Sequence, residues 1–216
     1  MKRESVRKAV DALQAEPKRG FSQSVDLIIN LRDLNLKDPK QQIDQFIRLP
    51  KGRGRKAKVC ALIGPELHAD AKQIFEKVIL QEQFPGFAEK KLLRKLAKEF
   101  DYFVAQANIM ASVATTFGRV LGTRGKMPNP KAGCVVPPKG ANLRLLHENL
   151  SDTIRVAAKK DPLLQCVIGS EQMSAEDLTE NAMSVLSSVL RVLPNEEHNI
   201  RSVYLKKTMS KPVQVS

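Results

Sequence analysis

The sequence predicts a chain of mixed α/β and α+β class with a discontinuous domain: an α+β domain built from both termini, residues 1–63 and 152–216, with an α/β domain, residues 64–151, inserted into it. Three observations lead there. Both ends of the chain show period-two apolar alternation beside amphipathic helical stretches, the pattern of antiparallel strands with helices. The middle changes to short continuous apolar runs between helical segments, the pattern of βαβ units on a small parallel sheet. A length of 216 residues, 42% of them apolar, is enough to bury a core in each of two small domains.

Taken in order, Val6, Val10 and Leu13 share one helical face, with Ser5 as the expected cap and Pro17 and Gly20 as terminators. Val25, Leu27, Ile29 and Leu31 then alternate with Asp26, Asn30 and Arg32 as a half-buried strand. Ile43, Gln45, Ile47 and Leu49 repeat the pattern after the turn around Lys37-Asp38-Pro39, and the two strands are expected to pair antiparallel across a long connection. Lys51-Gly52-Arg53-Gly54-Arg55-Lys56-Ala57-Lys58 reads as a mobile cationic loop, either plain solvated surface or a phosphate contact.

The pattern changes in the middle of the chain, with the short apolar run Val59 to Ile63 just before the expected boundary. A helix near Asp70 to Phe75, a strand Lys77 to Leu80, a helix Ala88 to Phe100, a strand Tyr102 to Ala105 and a helix Asn108 to Phe117 follow. In the Ala88 helix, Leu92, Leu93, Leu96 and Phe100 are expected to face inward, and Lys90, Lys91, Arg94, Lys95 and Lys98 outward. Asn142 to Leu150 is helical. Thr153 to Ala158 and Leu164 to Ile168 are strands on either side of the turn Lys159-Lys160-Asp161-Pro162, where antiparallel pairing returns. Ser174-Ala175-Glu176-Asp177 opens a long helix, with Asp where a capping box has Glu or Gln. Leu178, Ala182, Val185, Leu186 and Val189 form its apolar stripe, and Pro194 ends it. The last strand is Ile200 to Lys206.

Charge narrows the function. Against 23 acidic residues stand 36 Lys and Arg, a formal +13 and a pI near 9.8, so the surface attracts polyanions, nucleic acid first. An anionic membrane is the weaker candidate: no run of about 18 apolar residues, no signal-peptide core behind Met1-Lys2-Arg3 and no lipidation motif is present, which leads to the expectation of a cytoplasmic protein. Cys60, Cys134 and Cys166 and the three histidines are too scattered for a disulfide framework or a metal site. The stretch Phe117 to Lys131 is dense in Gly, Pro and cations. It fails as a P-loop, because Val120 and Met127 stand where Gly and a hydroxyl are needed, and the glycines at 118, 122 and 125 have the wrong spacing for a dinucleotide fingerprint. No catalytic set, cofactor site or metal site emerges, and a phosphate-handling enzyme using Arg124 and Lys126 has little support.

Leu121-Gly122-Thr123-Arg124-Gly125-Lys126-Met127-Pro128 resembles the signature of the universal ribosomal protein L-one family in its archaeal form. Asn199 to Met209 is similar to that family's terminal strand and Thr-Met-Gly motif, Phe21 with Ser24-Val25-Asp26-Leu27 to its first strand, and Gly169 to Ser174 with the following helix also fits. The resemblance spans nearly the whole chain, in order. It implies a split α+β RNA-binding domain, an inserted Rossmann-like three-layer α/β domain and a two-strand hinge near residues 64 and 151. It further implies a ribosome-associated protein of the large subunit that binds large-subunit rRNA at the base of the mobile lateral stalk, acts in the release of deacylated tRNA from the exit site and represses translation of its own mRNA. The implied RNA contacts are Arg19, Phe21, Ser24, Arg201, Ser202, Lys206, Thr208, Met209 and Ser210, with Arg124, Lys126 and Lys131 as secondary contacts. Arg and Lys suit phosphate, the hydroxyls suit 2′-hydroxyl and phosphate oxygens, and Phe21 and Met209 offer apolar surface to ribose or base. Ser210 stands where the family has Gly, and a left-handed backbone there would be strained. Thr123 replaces Pro, and Lys211-Pro212 lengthens the ending. A non-ribosomal RNA-binding regulator remains the alternative.

Overall fold

A computed structural model describes residues 2–17, 19–39, 41–87, 89–138 and 140–215. The chain divides into two compact units, 1–55 with 152–216, and 56–151. The expected boundary after residue 63 thus moves to 55/56, because the strand Val59–Ile63 pairs inside the second unit.

In the split unit, α1 (Arg3–Gln14) begins two residues ahead of Ser5. Its N-cap is Lys2, without a side-chain cap bond, so the expected Ser5 cap is not used. Val6, Ala9, Val10 and Leu13 are buried along one face. β1 (Ser24–Leu31) is an inner strand of a four-stranded antiparallel sheet, flanked by β9 (Ile200–Lys207) and β8 (Leu163–Ser170), with β10 (Val213–Gln214) outside β9. Its burial alternates strictly, Val25, Leu27, Ile29 and Leu31 inward. β2 (Ile43–Arg48) does not pair with β1 as expected; it forms a separate two-stranded antiparallel sheet with β7 (Thr153–Ala158). Alternation specifies the buried face of a strand and leaves its neighbour open, so the nearest strand in sequence lost to two from the other end of the chain. β7 and β8 likewise pair antiparallel with β2 and β1, not with each other.

The long helix α6 (Ala175–Leu190) is capped by Ser174, whose Oγ accepts from the Asp177 N–H at 3.1 Å and donates to Asp177 Oδ2 at 2.7 Å. The shorter Asp thus bonds the cap hydroxyl, in place of the backbone N–H that a capping-box Glu reaches. The stripe of Leu178, Ala182, Val185, Leu186 and Val189 is buried with α1 and the inward residues of both sheets in one core. Buried Asn181 on this helix accepts from the Lys51 N–H at 3.0 Å and donates to the carbonyls of Gly52 and Ile168, both at 2.8 Å, so the start of the cationic loop is anchored to α6 and β8. Gly54, at φ +71°, packs so closely on the end of β8 that a Cβ would sit 2.8 Å from that of Ser170.

In the second unit, β3 (Val59–Ile63), β4 (Lys77–Leu80), β5 (Tyr102–Gln106) and β6 (Val135–Val136) form a parallel sheet in the order β4-β3-β5-β6. β3 is buried on both faces: Cys60 and Leu62 meet α3 (Lys90–Glu99) and α4 (Met110–Leu121), while Val59, Ala61 and Ile63 meet α2 (His68–Ile74) and α5 (Leu143–Asp152). This is a three-layer, Rossmann-like α/β arrangement. Ala88, expected to start α3, lies outside the described residues. Leu92, expected inward, is 44% exposed, because only Leu93, Leu96 and Ala97 fall on the buried stripe.

Candidate nucleic-acid interface

The end of the four-stranded sheet where β1 begins and β9 finishes gathers most of the expected contacts. Antiparallel register sets Val25 against Lys207 and Asp26 against Lys206, which brings Ser24 beside Thr208. The Thr208 N–H donates to the Ser24 carbonyl at 3.1 Å, the Ser24 N–H donates to Thr208 Oγ1 at 3.2 Å, and the two side-chain hydroxyls lie 3.0 Å apart. A hydroxyl has one donor and two acceptor sites. Thr208 thus satisfies the ladder's last N–H, and the pair keeps spare capacity toward solvent. Phe21 and Met209 flank it at 51% and 57% exposed, which settles that neither is a core residue.

A relay absent from the sequence reading holds this edge. The Met209 N–H donates to Gln23 Oε1 at 3.0 Å, Gln23 Nε2 donates to Glu171 Oε2 at 3.2 Å, and the Gln23 N–H donates to Glu171 Oε1 at 3.0 Å. The Glu171 N–H returns to the Gln23 carbonyl at 2.9 Å. Gln23 is buried, so its amide is committed to this relay. Beside it the hydroxyls of Ser22 and Ser170 meet at 3.2 Å, and the loop at Gly54 packs on Ser170. Glu171 stood within a noted motif and Gln23 just before a strand; no local pattern joins residues this far apart.

Arg19 belongs to the edge through Nη2, which donates to the Met209 carbonyl at 3.4 Å. Ser210 closes the turn: its N–H donates to the Lys207 carbonyl at 3.2 Å and its Oγ accepts from the Lys207 N–H at 2.9 Å. Among the described non-glycine residues, positive φ occurs at Asp33 and Glu196, not at Ser210, so serine adopts this turn without the strain feared from the family's glycine. Lys206 faces Asp26 across the strands. Burial raises the Asp26 pKa, while Gln165 and Lys206 pull it down. Lys207 is buried, so this cation of the last strand does not reach solvent.

The other expected contacts lie elsewhere. Ser202 pairs with Asn30 near the far end of β9, its Oγ accepting from Asn30 Nδ2 at 2.9 Å, roughly 20 Å along the strand from Thr208 at about 3.3 Å per residue. Exposed Arg201 precedes it, at a register irregularity. Ser202, Tyr204 and Lys206 share the outer sheet face, so this face links the two ends. Arg124, Lys126 and Lys131 belong to the other unit. Arg124 and Lys131 are exposed, whereas Lys126 Nζ donates to the Phe100 carbonyl at 2.6 Å and its N–H to the Leu121 carbonyl at 2.9 Å, so it closes the turn after α4. Thr123 takes part in the same turn, donating to the Val120 carbonyl at 3.0 Å.

The three cysteines are buried and not poised as nucleophiles. Burial pushes Cys60 and Cys166 up to about 12 and Cys134 to about 11, away from reactive thiolate character. Among the described residues no cluster of three or more His, Cys, Asp or Glu could hold a metal, and no helix is long and apolar enough to cross a membrane. Fold and edge together define a class: a strongly basic α/β protein that gathers hydroxyls, cations and two exposed apolar side chains at one end of a sheet. The sequence matches the ribosomal protein L1p/L10e family over residues 13–211. It is 38% identical over 217 residues to the large ribosomal subunit protein uL1 of Methanothermococcus thermolithotrophicus, covering 100% of this chain and 99% of the relative. To the proteins of the same name from Nanoarchaeum equitans and Thermococcus kodakarensis it is 41% and 36% identical, with 92% and 99% of this chain and 93% and 97% of the relatives covered. The chain belongs to the ribosomal protein L1p/L10e family, whose members are structural ribosomal proteins and not enzymes.

Proposed function

We propose that this protein is a structural constituent of the large ribosomal subunit, in the cytoplasm, and that it binds large-subunit rRNA through the β1–β9 edge. The observation that carries this reading is the paired hydroxyls of Ser24 and Thr208 between exposed Phe21 and Met209, in a chain of this family. Hydroxyls at 3.0 Å on a rigid ladder offer matched partners to ribose and phosphate oxygens, the apolar side chains offer stacking or van der Waals surface, and surrounding cations supply attraction. Within the same reading the protein forms the mobile lateral stalk, takes part in releasing deacylated tRNA from the exit site, and represses its own mRNA by binding a similar structure there.

Footprinting on large-subunit rRNA tests the edge. The wild type is expected to protect one structured element, and Thr208→Ala with Met209→Ala to abolish that protection; an unchanged footprint overturns the site. Sedimentation with the large subunit separates a ribosomal protein from a free RNA-binding regulator, and failure to bind the leader of its own message removes the repressor role. With six to ten phosphate contacts, affinity is expected to fall by about 10³ to 10⁵ between 50 and 200 mM salt.

A further inference from the structure

The basic face of α3 is built against its own helix. Lys90, Lys91, Arg94, Lys95 and Lys98 are all exposed and, with Glu89, surround one shallow concavity. Lys90 with Arg94, Lys91 with Lys95, and Arg94 with Lys98 are like charges four residues apart, which repel on a helix. Two of the cations sit in the first turn, at the positive end of the helix dipole, and the acid beside them is the N-cap residue Glu89. No side-chain ion pair or hydrogen bond among the described residues relieves these five. Glu89 and Glu99 leave most of this repulsion in place, and local rules broken in this way are expected at functional surfaces. Lys90 also borders a cleft of about 630 Å³ between α3 and α4, where Ser112, Thr116 and Arg119 form the α4 wall over a floor that includes Phe84 and Leu93.

We propose that this unit carries a second RNA-binding surface, separate from the β1–β9 edge, in which the basic face of α3 follows the phosphates of a single-stranded segment and the α3–α4 cleft receives one of its unpaired nucleotides. Lys90 to Lys98 covers about 12 Å of helix axis at about 1.5 Å per residue, room for several successive phosphates. An acidic peptide would use the cations alone. Hydroxyls, a guanidinium and an apolar floor in the adjoining cleft match ribose, phosphate and base together, which favours RNA.

The test titrates a labelled twelve-nucleotide oligouridylate against the full-length protein at two salt concentrations. The variant K91Q/R94Q/K95Q/K98Q keeps good helix formers at each position. It is expected to bind at least tenfold more weakly, with the slope of log affinity against log salt shallower by about 3, at about 0.7 for each lost phosphate contact. A same-unit control with the same charge change, K56Q/K58Q/K72Q/R144Q, is expected to lose less than threefold, and S112A/R119Q to lose affinity without a comparable change in slope. The α3 variant retains the wild-type rRNA footprint, which keeps this outcome separate from failure of the edge. The proposal is overturned if the α3 variant binds like wild type or no worse than the control. It is also overturned if T208A/M209A alone abolishes oligouridylate binding, or if poly-L-glutamate competes as well as the oligonucleotide and is lost in the same variant, which would make the face a site for acidic protein.

Discussion

Gln23 shows how one side chain can govern a surface made by others. It is buried and presents nothing to a ligand, yet its carbonyl oxygen holds the Met209 N–H and its amide nitrogen a Glu171 oxygen. Gln23→Ala leaves the Met209 N–H unsatisfied and takes one partner from the carboxylate. Leaving such groups unpaired costs on the order of 1–3 kcal/mol, so the urea midpoint is expected to fall accordingly and RNA affinity to drop by about tenfold with the loosened edge. An unchanged midpoint together with unchanged affinity would show that the relay is incidental. This residue lay outside the sequence reading because its importance comes from a partner 148 positions away, whereas exposed Phe21 and Met209 were legible from their motifs.

At the scale of elements, the small β2–β7 sheet depends on one carboxylate. Asp44 receives Arg155 through Nε and Nη2, each at 2.8 Å, and Lys159 Nζ at 2.7 Å. The Arg155 hydrogen bonds, helped by Lys159 and opposed by burial, hold its pKa down from 3.8 to about 2. Between these values the unfolded chain takes up a proton that the folded one does not. The contribution is therefore complete above pH 3.8 and is lost as pH falls toward about 2. Unfolding midpoints followed from pH 5 to pH 2 are expected to decline more steeply for wild type than for Asp44→Asn; parallel curves would remove Asp44 from the acid response. The element itself was legible as alternation, but its partner was not: the sequence reading joined β2 to β1, and the charge pair with β7 is visible only once that ladder forms.

The whole molecule sets a further expectation. Both cores of unit 56–151 are made from residues within it, while every ladder partner of β1 and β2 comes from residues beyond 152. Residues 56–151 expressed alone are expected to melt cooperatively, and residues 1–55 alone to stay unfolded by circular dichroism. A folded 1–55 fragment would refute the discontinuous unit. The chain crosses between units at 55/56 and 151/152, the first crossing before β3 and not after it as the sequence suggested. An all-apolar strand looks alike whether it ends one domain or starts another, and only its parallel ladders to β4 and β5 assign it.

By itself the sequence determined what local chemistry determines: a basic chain without catalytic spacing, the type of most elements from their apolar period, the helix stop and cap signals at Ser174 and Pro194, and a terminal Thr208-Met209 motif with a family likeness. Only the tertiary structure decided partners: β9 and β8 for β1, β7 for β2, Gln23 with Glu171 behind Met209, Lys126 turned onto Phe100 and Lys207 buried. The division has a physical cause. Periodicity and capping act within a few residues, whereas ladder register and buried hydrogen bonds join groups that meet only when distant segments have been brought together and water has been excluded between them.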